Sequence, residues 1–301
     1  MASRLRLDLR LPAVRTHWLG LRGGVSPARL AQIGIKHITY YPSYSSASAG
    51  GPALNEAFAD HAIDLASYGD TPAIVGRSIG LPTLLIRIDS VGTSIDLVVR
   101  KGGPRTVEGL VGKRIAASPG GVGSRYIIGL LAERGLSSKI VLVNVPTDAQ
   151  PAALLRGEVD AVVDVSGALY SLPCFQVIDR AKDHPGLAGN NVTVGSEAFL
   201  NSHPGFVQIW NDTLCRAVRD ISAQPHDYYR FLHTRIRYPE AILCHIYPLE
   251  MYRPGPFPTN GLDALNNTKA FLLSQHLIRD DFSIESWRVD PAPNPPAISG
   301  P

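Results

Sequence analysis

Between residues 53 and 79 three short segments follow one another with almost no room for anything but an open α/β layer. Ala53-Leu54-Asn55-Glu56-Ala57-Phe58 carries apolar residues at 54, 57 and 58, the spacing of a helix face; Ala62-Ile63-Asp64-Leu65-Ala66 reads as a short apolar strand; and Ser67-Tyr68-Gly69-Asp70-Thr71-Pro72 reads as a glycine turn feeding an apolar helix over 73–79. A strand that ends in glycine just before a helix sets backbone N–H groups at the mouth of a sheet, which is where open α/β sheets take ligands.

A second mouth follows. Arg114-Ile115-Ala116-Ala117 predicts a strand that runs into Ser118-Pro119-Gly120-Gly121-Val122-Gly123-Ser124 and then a helix from Tyr126 to Arg134. The glycine stretch is neither Gly-x-Gly-x-x-Gly nor a phosphate loop ending in Lys-Ser or Lys-Thr, so its reading is a helix start that binds an anion, or a plain strand-to-helix turn. An echo joins the two halves: Ile63-Asp64-Leu65 and Val159-Asp160-Ala161 each follow a helix and a tight turn, and each leads to a Ser-containing glycine turn, the second at Asp164-Val165-Ser166-Gly167.

The rest of the chain frames these mouths. Residues 4–11 alternate leucine with polar residues and predict a strand ended by Pro12, and Ser26-Pro27 predicts a capped helix stopped by Gly34. Ile35 to Tyr41 predicts a second strand, Ser43 to Gly51 a flexible loop, and Gly51-Pro52 the opening of the next helix. Strands over 84–88 and 95–100 are expected with Asp89-Ser90-Val91-Gly92 as linker, and Lys101-Gly102-Gly103-Pro104 marks a domain crossing. A helix is expected from Asp263 to His276, and the proline-rich end from 289 to 301 is expected to be disordered.

With 301 residues, 45% of them apolar and 18% charged, the chain has material for two ordinary domains and a sizeable core. A net charge of +3 gives no case for nucleic acid, although Arg4, Arg6, Arg10, Arg15, Arg22, Arg29 and Lys36 face only Asp8 in the first 36 residues. That basic stretch is either a solvated face or a field that draws in a small anion. The three cysteines, Cys174, Cys215 and Cys244, have no metal-like spacing and read as buried reduced thiols, so neither metal nor cofactor is expected. No apolar run reaches membrane-spanning length, and the N-terminus shows no secretory pattern, which places the chain in the cytoplasm unless a signal has been removed.

The string Gly51-Pro52-Ala53-Leu54-Asn55-Glu56-Ala57-Phe58, with Ile63-Asp64-Leu65-Ala66 and Gly69-Asp70-Thr71-Pro72, resembles the aliphatic-sulfonate and taurine binding proteins of ABC importers. Val107 to Ile115, Leu155 to Ala161 and the stretch from Phe271 to Ile284 fit the same type II periplasmic-binding-protein pattern, so the likeness covers roughly residues 4–288. It implies an α/β fold of two lobes with two hinge crossings and a cleft: lobe I from 1–98 plus 192–288, lobe II from 99–191. It implies a small organic anion, sulfonate or carboxylate, gripped by Tyr68, Gly69, Asp70 and Thr71 from one side and Ser118, Gly121, Gly123 and Ser124 from the other, and an ABC permease as partner if the chain is exported.

The fold also serves enzymes, and the alternative is an intracellular lyase, decarboxylase-like or desulfinase-like, on a small organic acid. The first loop has no cysteine of the desulfinase kind, and the cysteine-rich stretch of the thiamine-pyrimidine synthases is missing; Arg15-Thr16 and Gly24-Val25 are similar to the dihydroxyphthalate decarboxylases. Thr16 and His17 lie in that loop and are candidate ligand contacts, with His17 and Arg15 the candidate catalytic groups. Asp164, Ser166 and Tyr170 either line the cleft or cap and pack. Asp70 either caps the helix opening at Pro72 or binds an amino group of a zwitterion. His245 and Cys244, as sequence neighbours, carry no catalytic weight.

Overall fold

The computed structural model describes residues 8–12, 26–41, 46–165, 167, 169–170 and 172–291. The first strand, β1 (Asp8–Pro12), pairs in parallel with β2 (His37–Tyr41), Asp8 opposite His37 and Pro12 opposite Tyr41. Between them α1 (Pro27–Gln32) opens as its sequence predicts: Pro27 takes the first turn, the Ser26 hydroxyl accepts from the Arg29 amide, and Gly34 at φ +83° ends the run.

The expected loop over 43–51 is corrected. Helix α2 (Ser46–Ala59) already includes residues 46–50 and carries Pro52 inside it. Gly51 is where this helix meets its neighbour: a Cβ there would fall 2.2 Å from Pro72 Cγ, so only glycine allows the approach. Strand β3 (Leu65–Gly69) then starts and ends three residues later than the apolar pattern suggests and passes straight into α3 (Asp70–Ser78).

β4 (Thr83–Val91) absorbs Asp89, Ser90 and Val91, which were expected to link two strands. It and β3 both lie antiparallel beside β10 (Asn190–Ser196), giving a three-stranded sheet β3-β10-β4, with β1 running alongside β3. The second sheet has five strands in the order β7-β6-β8-β5-β9: β5 (Asp96–Arg100), β6 (Arg114–Ala117), β7 (Val141–Asn144), β8 (Ala161–Asp164) and β9 (Phe175–Arg180). Here β6, β7 and β8 are parallel and β5 runs against both its neighbours. All of β5 belongs to this sheet, so the change of sheet lies at 92–95, ahead of the boundary expected between 98 and 99. The return comes just before Asn190. The two crossings are tied together, the Thr93 amide and hydroxyl both donating to the Gly189 carbonyl at 2.6 and 3.0 Å.

Apart from the exposed edge strand β7, the strands of both sheets are covered on both faces, which explains their near-continuous apolar runs. Helices α2, α3 and α10 (Thr259–Ser274) cover one face of the first sheet with Leu54, Phe58, Ile74, Leu265 and Leu272. α1 and α7 (Phe206–Ala223) cover the other with Leu30, Phe206 and Trp210. In the second sheet α4 (Val122–Glu133) covers one face through Tyr126, Ile127 and Leu130, and α5 (Gln150–Arg156) the other through Leu154. α6 (Glu197–Ser202), α8 (Pro225–Ile236) and α9 (Glu240–Ile246) complete the central part.

The end of the chain returns to the first sheet. Trp287 of α11 (Ile284–Trp287) is fully buried, its indole N–H donates to Thr83 O at 3.0 Å, and the Val289 amide donates to Leu85 O at 2.8 Å. Val289 and its hydrogen bond belong to the ordered packing, within the segment expected to be disordered; residues 292–301 of that segment lie outside the described residues.

Candidate functional site

The ends of β3 and β6 bring the two glycine stretches together. Gly69 is the residue before α3, extended at φ −62° and ψ 146°, and its bare α-carbon is covered by the other sheet's helix: a Cβ there would lie 2.5 Å from Val122 Cγ1. Gly120 turns at φ +74°, and its α-carbon faces Pro52 of α2. Residues 69–71 and 121–124 therefore meet at the junction of the two sheets.

The junction is held by charge as well as shape. Asp70 is fully buried at the start of α3. It does not cap that helix; its carboxylate accepts from the Asn190 amide at 2.9 Å, from Thr268 Oγ1 at 3.3 Å and from Thr71 Oγ1 at 3.2 Å. Burial lifts its carboxyl above the ordinary range, against the opposing pull of Arg125 and of these hydrogen bonds. Arg125 of α4 is itself buried, donating to Gly186 O at 3.1 Å and Leu187 O at 2.7 Å; burial lowers its pKa and Asp70 counters. A Cβ at Gly189 would lie 3.3 Å from Asp70 Oδ1 and 3.7 Å from Arg125 Nη2, so the return crossing threads between the two charges.

Of the residues expected to grip a headgroup from the first sheet, Tyr68 is in the core, its hydroxyl donating to Asn55 Oδ1 at 2.9 Å, and burial pushes that hydroxyl's pKa up. Thr71 is buried against Asp70. From the second sheet, Gly121 precedes α4, and Gly123 and Ser124 stand inside its first turn because the helix starts at Val122, four residues ahead of the Tyr126 expected from the sequence. Among the described residues no side chain caps this twelve-residue helix, and no acidic residue stands in its first turn. Gly121 and Gly123 are partly exposed, while Ser124 is buried and donates to Gly121 O at 2.9 Å. Among the described residues the first-turn amides and the positive end of the helix dipole are thus left without a side-chain acceptor. Ser118 is partly exposed on the turn before them. Thr16, His17, Arg15 and Ser166 lie outside the described residues.

Asp164 ends β8 at the same edge of the sheet and stands opposite Asp96, the first residue of β5, which in turn stands opposite Arg180 at the end of β9. Asp164 accepts from the Leu169 amide at 2.9 Å. Asp96 Oδ2 lies 3.2 Å from His245 Nε2 and Oδ1 lies 3.7 Å from Arg180 Nε. Burial raises the Asp96 carboxyl, His245 and Arg180 oppose, and the like charge of Asp164 adds to the rise. The His245 ring stacks on Tyr170 with centroids 3.9 Å apart at 14°. Burial, then Asp164, raises the Tyr238 hydroxyl.

This group can hold a proton between imidazole and carboxylate, and the sequence reading missed it. In sequence His245 stands only beside Cys244, but α9 is a helix that sets its ring against Asp96, 149 positions away. Cys174 and Cys244 are exposed, correcting the expectation of buried thiols, and Cys215 is half-buried. Among the described residues no set of His, Cys, Asp and Glu is arranged to hold a metal, and no helix is long and apolar enough to cross a membrane.

Comparison with known proteins agrees with this architecture. The alkanesulfonate-binding protein SsuA from Xanthomonas axonopodis pv. citri, bound to MOPS, superposes with a TM-score of 0.76 at 22% identity over 95% of this chain and 99% of its own. The periplasmic aliphatic sulphonate binding protein SsuA from Escherichia coli gives 0.74 at 17% identity over 93% and 97%. The desulfurization enzyme DszB gives 0.69 at 15% identity over 95% and 97%. These likenesses show the two-lobed periplasmic-binding-protein fold with its interlobe cleft. No curated protein matches the chain. The family model described as NMT1/THI5 like matches residues 53–227, more than half of the chain, and the protein belongs to that family.

Proposed function

We propose that the protein binds a small organic anion, a sulfonate or carboxylate, in the cleft between its lobes. The lobes are the first sheet with the C-terminal helices on one side and residues 96–189 on the other, hinged at 92–95 and just before Asn190. The observation that carries this reading is the start of α4: an uncapped helix N-terminus, free of acidic residues, at the junction of the two sheets. Ser118, Gly121, Gly123 and Ser124 would hold the headgroup, with Asp164 ending β8 at the same edge; Thr16 and His17 are the further candidate contacts and lie outside the described residues. Tyr68, Asp70 and Thr71, expected on the opposing side, are buried and form the packing behind the junction, and Gly69 is covered by Val122. Hydrogen bonds to a charged group contribute ~1.5–3 kcal/mol each, so a few amides suffice without a facing cation. The sulfonate-binding neighbours support the ligand class, and a membrane permease is the partner this reading implies.

A second reading, a lyase acting on a small organic acid, rests on His245 paired with Asp96 beside Tyr170 at the same edge. A thermal-shift screen of sulfonates and carboxylates tests the first reading. A ligand at 100 times its dissociation constant adds ~2.7 kcal/mol of stability. No stabilisation by any such anion would count against binding, and chemical change of a stabilising ligand over hours would select the enzyme.

A further inference from the structure

Besides the junction of α3 with α4, the lobes meet through α9. That helix is anchored in the first lobe: Leu243 packs with Ala217 and Ile221 of α7 and with Tyr228 and Leu232 of α8, and α7 lies on β4. The Tyr229 hydroxyl donates to Tyr247 O at 3.0 Å, and Tyr252, just beyond, bridges to Ser90 of β4.

Two residues of the same helix touch the other lobe. His245 Nε2 lies 3.2 Å from Asp96 Oδ2, and the imidazole is stacked on Tyr170 with centroids 3.9 Å apart. Ile246 fills a notch at Gly167: a Cβ there would fall 2.3 Å from Ile246 Cγ1, and Gly167 turns at φ +65°, so glycine alone suits both the turn and the approach. Tyr170 is 41% exposed, so its ring lies on the surface of the second lobe and not in its core. Asp96 opens β5 directly after the 92–95 crossing. A rotation at the crossings would therefore break the stack, the imidazole–carboxylate contact and the apolar plug together. We propose that α9 is a clasp: His245 and Ile246 of the first lobe fasten on Asp96, Gly167 and Tyr170 of the second, hold the cleft shut in the ligand-free chain, and must let go before anything enters or leaves it.

The charges that face His245 supply the test. Asp96 stands opposite Asp164 on one side and Arg180 on the other. A carboxylate in place of the imidazole meets two like charges and one cation, and is driven off into water. Small-angle X-ray scattering of the ligand-free chain reads the result. Wild type should give the radius of gyration of the closed structure. His245→Asp should give a larger one with the circular dichroism of a folded protein. Adding Asp96→Asn removes the nearest like charge, offers the new carboxylate an amide N–H, and should restore the smaller radius. If His245→Asp loses the fold, His245→Ala with Tyr170→Ala, which only removes contacts, takes its place and should also expand. Because no ligand is used, failure of anion binding at α4 would leave the clasp standing. A wild type already as expanded as the variants, or folded variants as compact as wild type, or expansion that Asp96→Asn does not reverse, would overturn it.

Discussion

Replacing Asp70 tests how the two lobes are joined. Asp70→Ala removes the acceptor of the Asn190 amide and leaves Arg125 buried without its counter-charge. The two groups are not in ion-pair contact, so the expected cost is that of the orphaned Asn190 amide and a weakened charge interaction, ~1–3 kcal/mol. Asp70→Asn keeps an oxygen for Asn190 and should cost less. Arg125→Met removes the stranded charge, so Asp70→Ala combined with Arg125→Met should cost less than the two single changes summed, by at least ~1 kcal/mol. Urea unfolding of the four proteins, read by circular dichroism, gives the cycle. If Asp70→Ala costs under ~1 kcal/mol, or if the double variant shows simple additivity, then Asp70 and Arg125 do not neutralise each other and the junction is held by packing alone.

The same carboxyl gives a pH signature. Burial raises its folded pKa above the ordinary 3.8, so the native state holds the proton more tightly than the unfolded chain. That contribution is fully present below 3.8 and is lost as pH rises through the folded value, so the stability of wild type relative to Asp70→Asn should fall as pH climbs from 3.8, measured by unfolding at stepped pH. Gly69→Ala places a methyl 2.5 Å from Val122 Cγ1 and should destabilise by ~1–3 kcal/mol, and Val122→Ala in the same chain should recover most of it; failure to recover would mean the lobes do not touch there. Trp287→Ala should cost ~3–5 kcal/mol by thermal unfolding, since the ring is fully buried between the C-terminal helices and the first sheet. His245→Asn should leave stability within ~1 kcal/mol yet slow any turnover found for a stabilising acid, and unchanged turnover would remove His245 from the chemistry.

What the sequence made legible was the local grammar. Ser26-Pro27 opened a helix, Gly34 and Gly120 turned where a left-handed residue was needed, and the Gly69 and Gly121 stretches fell at strand ends beside helices. The periodic runs marked both sheets because each, apart from the edge strand β7, is covered on both faces. The boundary between sheets was less legible: Asp89 to Val91 look like a linker by composition, yet Asp89 is drawn into β4 by hydrogen bonds from Ser67 and from Thr193, the latter at 2.7 Å. Residues 46–50 are small and read as a loop by composition, whereas the helix they begin packs at Gly51 against Pro72 of α3, 21 positions on.

The site divides the same way. Asp70 stood out as a motif residue, but its partners Asn190, Thr268 and Arg125 lie 55 to 198 positions away, and no local spacing encodes them. His245 and Asp96 carry no motif; only the topology that sets α9 against the start of β5 joins them.

The central claim, that the start of α4 holds an anion, is tested most directly by Gly121→Asp. A Cβ at Gly121 meets only Ser118 O at 3.6 Å, and its φ of −94° suits any residue, so the chain should fold normally. An aspartate there caps the helix with its own carboxylate and repels a second negative charge. Isothermal titration with the most stabilising sulfonate or carboxylate should show affinity reduced at least ~10-fold at an unchanged or higher melting temperature. Wild-type affinity in a folded Gly121→Asp protein would show that the anion is held elsewhere.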